Sequence, residues 1–129
     1  MQADCGELTI APVDLTVLLG NAMENAIHAC EQLSDNRWIT MQIGVIGGSL
    51  AIQITNPCQE IHPTGRHKLD DRFLPASAFA SIREGGGYGL SSMEHTAQRY
   101  SGEARFRYDE STKTFTTRIW LNLHRKCCK

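Results

Sequence analysis

Two groups of residues in this chain could do chemistry. The first is Asn21-Ala22-Met23-Glu24-Asn25-Ala26-Ile27-His28. At ~100° per residue, Asn21 and Asn25 stand one turn apart on the same side of a helix. That side flanks the apolar stripe, so both amides can point into a cleft beside the core. An amide oxygen is a hard, neutral ligand, suited to a Mg²⁺ ion that also holds phosphates and waters. His28, one turn beyond Asn25, could reach the same anion. The second group is Gly85-Gly86-Gly87-Tyr88-Gly89-Leu90, at the opening of a helix. Glycines let backbone N–H groups approach an anion closely, and a helix N-terminus adds unpaired N–H groups and a favourable dipole. Taken singly, the first group also fits exposed helix asparagines with a surface histidine, and the second an ordinary flexible turn. The glycines do not form a Walker loop, because no Gly-Lys-Ser/Thr follows, nor a dinucleotide fingerprint, because no long apolar strand precedes them.

The elements that must position these residues follow from periodicity. Glu7-Leu8-Thr9-Ile10 reads as a short strand, and Asp14 reads as the N-cap of the next helix. From Leu15 to about Leu33, Leu15, Leu18, Leu19, Ala22, Met23, Ala26 and Cys30 recur at helical spacing. Two strand-like runs follow, Trp38 to Ile46 and Leu50 to Thr55, joined by Gly47-Gly48 and closed by Asn56-Pro57. Residues 57 to about 86 hold Pro57, Pro63, Gly65, Pro75 and the triple glycine and sustain no period, as a lid or binding loop would. A short helix is expected around Ala76 to Ile82. Leu90 to Tyr100 reads as a helix stopped by Gly102, and Glu103 to Tyr108 and Thr114 to Leu123 as strands. The order predicts an α+β two-layer sandwich, with a mixed, mostly antiparallel sheet and helices on one face.

Composition narrows the functional classes. The chain's 129 residues suit a single domain. With 13 Lys+Arg against 14 Asp+Glu, nothing points to nucleic acid or an anionic membrane as partner. No apolar run approaches the ~20 residues needed to span a bilayer, so a soluble fragment is expected. The 5 cysteines are odd in number and lack paired spacing, which suits a reducing compartment; their spacing does not suit zinc either.

In combination and order, these parts resemble the GHKL ATPase family, whose fold is the Bergerat fold. Asn21-xxx-Asn25-Ala26 resembles its N box and Gly87-Tyr88-Gly89-Leu90 its G2 box. Leu18-Leu19-Gly20-Asn21 and Asn25-Ala26-Ile27-His28-Ala29 look most like the catalytic domains of sensor histidine kinases in the quorum-sensing and citrate-sensor-like branch. The resemblance covers nearly the whole chain and implies one catalytic domain over residues 1–129, with an ATP lid at about 57–86. Asn25 matches the Mg²⁺ ligand. Asn21 matches the position of a water-activating Glu in gyrase-type members, where an amide cannot act as general base. His28 stands where many kinases place a phosphate-binding Lys. Gly87 and Gly89 match the glycines over the triphosphate, and Gly85, Tyr88 and Leu90 complete the expected nucleotide-binding set.

There are departures. Most histidine kinases carry Asp-x-Gly-x-Gly after the second hairpin strand, and its Asp binds the adenine amino group. Here the stretch is Asn56-Pro57-Cys58-Gln59-Glu60. Asn56 can still accept from an adenine N–H through its amide oxygen, without Asp's charge, so weaker affinity is expected. A Ser-Lys pair frequent in this branch is Ser77-Ala78 here, leaving Arg83, Arg66 or Lys68 to supply the cation.

The resemblance implies a cytoplasmic module of a membrane-bound sensor kinase. It would bind Mg-ATP and donate the γ-phosphate to a histidine on a separate dimerisation domain, for passage to a response regulator. None of His28, His62, His67, His95 or His124 lies in a helical dimerisation segment, and no helical hairpin precedes the chain, so the fragment alone should be inactive as an autokinase. Two alternatives stay open: an anti-sigma-factor-type serine kinase, and a degenerate, non-catalytic nucleotide-binding module.

Overall fold

The computed structural model describes residues 10–59, 72–79 and 87–123. Within them the order is α1 (Pro12–Glu31), β1 (Thr40–Ile46), β2 (Ser49–Pro57), a 3-10 turn (Ala76–Phe79), α2 (Gly87–Arg99), β3 (Glu103–Asp109) and β4 (Thr114–Asn122). The strands form one sheet in the order β1-β2-β4-β3, every pair antiparallel. This is the expected α+β sandwich. No parallel pair occurs among the described strands, so the mixed character expected of the sheet is not seen in them. The expected first strand falls mostly on residues 1–9, outside the described residues.

Alternation along the strands sets the two faces. Leu50, Ile52, Ile54 and Asn56 of β2, Phe115, Thr117, Ile119 and Leu121 of β4, and Ala104, Phe106 and Tyr108 of β3 are all buried, on the side facing the helices. From β1, Met41, Ile43 and Val45 share that face by register yet stay exposed, because α1 packs over β2. Beneath the helices, Phe79 makes edge-to-face contacts with Phe106 and Phe115, with centroids 6.4 and 5.4 Å away. These contacts anchor the 3-10 turn, where Ala76 and Ala78 are also buried.

Both helices differ from expectation at their ends. In α1 the N-cap is Ala11, with Pro12 in the first helical turn, where a missing N–H costs nothing. Asp14 is therefore inside the helix rather than capping it. It accepts hydrogen bonds from Tyr100 Oη–H and from Arg99, at 2.9 Å, both at the end of α2. Helix α2 begins at Gly87, three residues ahead of the expected Leu90, so Gly87-Tyr88-Gly89-Leu90 forms its first turn. At its other end Ser101, not Gly102, takes the left-handed conformation (φ 59°). The N–H groups of Gly102 and Ser101 bond back to Ala97 and Gln98, a Schellman closure. Gly102 answers a different demand: a Cβ there would lie 1.8 Å from the Trp120 carbonyl oxygen.

The β1–β2 hairpin turns on Gly47 and Gly48, with φ of 56° and 82°, as a turn with two positive-φ residues requires. β2 continues through Asn56-Pro57 instead of stopping before them. Cys58 N–H bonds to the Lys113 carbonyl across the ladder, so the Pro57 nitrogen, one residue back, faces the other way. Its missing N–H points to the side where β1 has already ended, and no ladder bond is lost. Pro57 and Cys58 are buried, so this start of the expected lid belongs to the sheet. The rest of that lid lies largely outside the described residues, as does Gly85. Cys30 and Cys58 are buried and take part in no disulfide.

The Asp14 clasp is expected to respond to pH. The Tyr100 hydrogen bond, and then Arg99, hold the Asp14 carboxyl below its ordinary 3.8 against an opposing effect of burial. A depressed carboxylate stabilises the fold above its unfolded value, and that contribution disappears as pH falls through the folded one. On the alkaline side the bond to Asp14 raises Tyr100 above its ordinary 10.0, so its contribution is complete below that value and lost as pH rises through the folded one. Asp14→Ala is expected to melt below wild type at neutral pH, with the gap closing in strong acid. A gap that stayed constant across an acid series of melting curves would assign the difference to packing.

Candidate functional site

Two sets of contacts fix how the helices lie. Asp14 near the start of α1 meets Arg99 and Tyr100 at the end of α2, and Asn21 Nδ2 donates to Ser92 Oγ at 3.1 Å. The helices are therefore antiparallel, and each step along α1 past Asn21 moves toward the N-terminus of α2. Asn25 and His28 lie in that direction, and so do Gly87 and Gly89 on α2. At the opposite end, Asn122 N–H bonds to the Tyr100 carbonyl, and Leu123 N–H to Gly48 at the start of β2. β2 then runs alongside α1, and Gln59 Nε2, two residues past its end, donates to the Gln32 carbonyl at 3.1 Å. The N-box residues, Asn56 and the glycine turn thus converge at one end of the sandwich.

Each candidate has a distinct environment. Asn25 is buried, Asn21 half-buried and His28 exposed in the last turn of α1. The asparagines thus sit at the border of the apolar stripe, which runs through Leu18, Ala22, Ala26 and Ala29. Asn56 is 1 % exposed. Its Nδ2 donates to the Pro57 carbonyl at 2.9 Å. A carbonyl can only accept, so this bond decides which end of the amide is which. Oδ1 is then left as a buried acceptor with no partner among the described residues. An orphaned buried acceptor costs about 1–3 kcal/mol, and a donor delivered from outside would relieve it.

Gly87, Tyr88, Gly89 and Leu90 are the first four residues of α2, whose N–H groups have no partner within the helix. The Leu90 side chain is fully buried in the core, so only its backbone N–H is available to a ligand. A Cβ built on Gly89 would meet nothing within 4 Å. The protein's own packing does not require glycine there, whereas a ligand approaching the backbone would.

Two polar residues escaped the sequence reading. Ser92 lies in the second turn of α2 and meets Asn21 from 71 positions away, a contact without a local signal. Thr117 is buried on the helix-facing side of β4, paired with Ile54 and diagonal to Asn56. Its place in the inward alternation of Phe115, Thr117 and Ile119 could have revealed it.

Asn56 Oδ1 is a buried acceptor, a helix N-terminus such as that of α2 favours anions, and Asn21 and Asn25 carry neutral amide oxygens. Among the described residues no group of His, Cys, Asp and Glu could hold a metal. A hard cation here would draw on an amide, phosphates and waters, the pattern favoured by Mg²⁺. No helix among the described residues is long and apolar enough to cross a membrane.

No curated protein matches the sequence. Residues 10–122, from the buried Ile10 ahead of α1 to the last residue of β4, match the family described as the GHKL domain. GHKL domains bind ATP, generally with Mg²⁺. With the match spanning the helices, the sheet and the first turn of α2, the chain belongs to the GHKL family.

Proposed function

We propose that residues 1–129 form the ATP-binding catalytic domain of a cytoplasmic sensor histidine kinase module, in the quorum-sensing and citrate-sensor-like branch. The observation that carries the nucleotide assignment is the orphaned Asn56 Oδ1, buried at the cleft end of β2 and held as an acceptor by the Pro57 carbonyl. It suits the adenine amino group and opposes guanine, which presents a carbonyl oxygen at the same place.

The remaining residues divide the work. The N–H groups of the first turn of α2 hold phosphate oxygens, with Gly87 and Gly89 permitting close approach. Asn25 offers its amide oxygen to the metal, and His28 stands at the exposed margin toward the phosphates. Bound Mg-ATP supplies the transferable phosphoryl group. Asn21 cannot take a proton from water, so this position leaves water unactivated. The γ-phosphoryl bond to ADP oxygen is therefore kept for an imidazole nitrogen on a separate helical dimerisation domain. ADP leaves, and the phosphoryl group passes on to a response regulator.

The isolated chain is expected to bind Mg-ATP without multiple-turnover hydrolysis. Mixed with its own histidine-bearing domain and radiolabelled ATP, it should yield an acid-labile, base-stable phosphohistidine. Rapid hydrolysis by the chain alone would contradict the role given to Asn21. Acid-stable phosphoserine on a partner would move the assignment to the anti-sigma-factor type, and failure to bind Mg-ATP would leave a degenerate module.

A further inference from the structure

We infer that Ser92 is a positioning residue of the nucleotide site, acting through Asn21. This rests on the Mg-ATP reading above and extends it. Ser92 Oγ accepts from Asn21 Nδ2 at 3.1 Å, across the junction of α1 and α2. Both residues are half-buried, so water competes for this bond less than at an open surface.

Two consequences follow. Ser92 holds the Asn21 amide in place, and with the NH₂ group toward Ser92, as here, Oδ1 is the end left to accept from water or ligand. The bond also ties the helix bearing Asn25 to the helix whose first turn carries Gly87 and Gly89, five and three residues before Ser92. The clasp of Asp14 with Arg99 and Tyr100 joins the same helices at their far ends. The Asn21–Ser92 bond is the link nearer the cleft, and it sets the spacing between the metal-side amides and the phosphate-side N–H groups. A metal bridged to phosphates is sensitive to that spacing, because Mg²⁺ demands near-ideal octahedral geometry.

The test uses the whole chain, a non-hydrolysable ATP analogue, and calorimetry with Mg²⁺ or with EDTA. Ser92→Ala is expected to weaken Mg²⁺-dependent binding about 2- to 10-fold, the worth of one neutral hydrogen bond, and to leave metal-free binding unchanged. Ser92→Thr keeps the hydroxyl and should restore the wild-type value. Asn21→Ala combined with Ser92→Ala should be no weaker than Asn21→Ala alone, since the two act as a unit. In the nucleotide-free ¹⁵N-labelled protein, the Asn21 side-chain NH₂ signals should shift in Ser92→Ala. Equal loss with and without Mg²⁺, additive losses in the double variant, or unmoved NH₂ signals would each overturn the role of Ser92. A wild-type chain that bound no Mg-ATP while the NH₂ signals still shifted would overturn the nucleotide reading and leave the bond a helix tie alone.

Discussion

Asn25→Ala is expected to abolish the Mg²⁺-dependent part of ATP binding and to leave the fold standing. Asn25 is buried on α1, one turn beyond Asn21 toward the N-terminus of α2. On the proposed reading, its amide oxygen is the neutral, hard ligand offered to the metal near the phosphates. Removing a metal ligand should lower Mg-ATP affinity by about 100-fold or more, since even second-shell changes at metal sites cost 10- to 100-fold. The effect on the fold should be far smaller, about 1 kcal/mol for a lost hydrogen bond. Calorimetry with and without Mg²⁺ separates the two components, and thermal denaturation checks the fold. A variant with wild-type Mg-ATP affinity would move the metal elsewhere, and an unfolded variant would mark Asn25 as structural.

Asn56→Leu is expected to show the second large effect, on base recognition. The wild-type amide has its nitrogen tied to the Pro57 carbonyl and its oxygen free, so flipping it to welcome guanine forfeits a 2.9 Å hydrogen bond. Wild-type protein should accordingly prefer ATP to GTP. In the leucine variant an adenine amine would be buried without its acceptor, at about 1–3 kcal/mol, so ATP affinity should fall roughly 10- to 100-fold and the preference over GTP should vanish. Stability should change little. Leucine removes the orphaned acceptor, which favours the nucleotide-free protein, but it also strips the Pro57 carbonyl of its donor. Titrations of ATP and GTP against both proteins measure the preference, and melting curves measure the balance. Equal affinity of the wild type for the two nucleotides would remove the adenine role of Asn56.

The parts of the site that were legible beforehand are those governed by local rules. Asn21 and Asn25 lie together because a helix repeats about every 3.6 residues, and they border the core because Leu18, Ala22 and Ala26 define its apolar stripe. The Gly47-Gly48 turn was readable because few other residues accept two successive positive φ values. The start of α2 was not. The helix was expected from Leu90, with Gly87 among the breakers ahead of it, yet Gly87 and Gly89 are helical, because packing of Leu90, Met93 and Ala97 outweighs a propensity loss of about 1 kcal/mol per glycine. Asp14 looked like a cap because of its type and place, whereas its partners, Arg99 and Tyr100, lie 85 and 86 residues away.

The sequence by itself determined the two amphipathic helices, the alternating strands, the tight hairpin, and the residue types from which a Mg-nucleotide site can be built. These depend on backbone sterics and on contacts within a turn or a hairpin. Only the tertiary structure decided the strand order β1-β2-β4-β3, the antiparallel register of α1 on α2, and the meeting of Asn21 with Ser92. It also decided that the Asn56 oxygen is buried with no partner among the described residues. Each of these joins residues distant in sequence or depends on which neighbour excludes water, and such pairings follow from how the apolar faces of the whole chain come together.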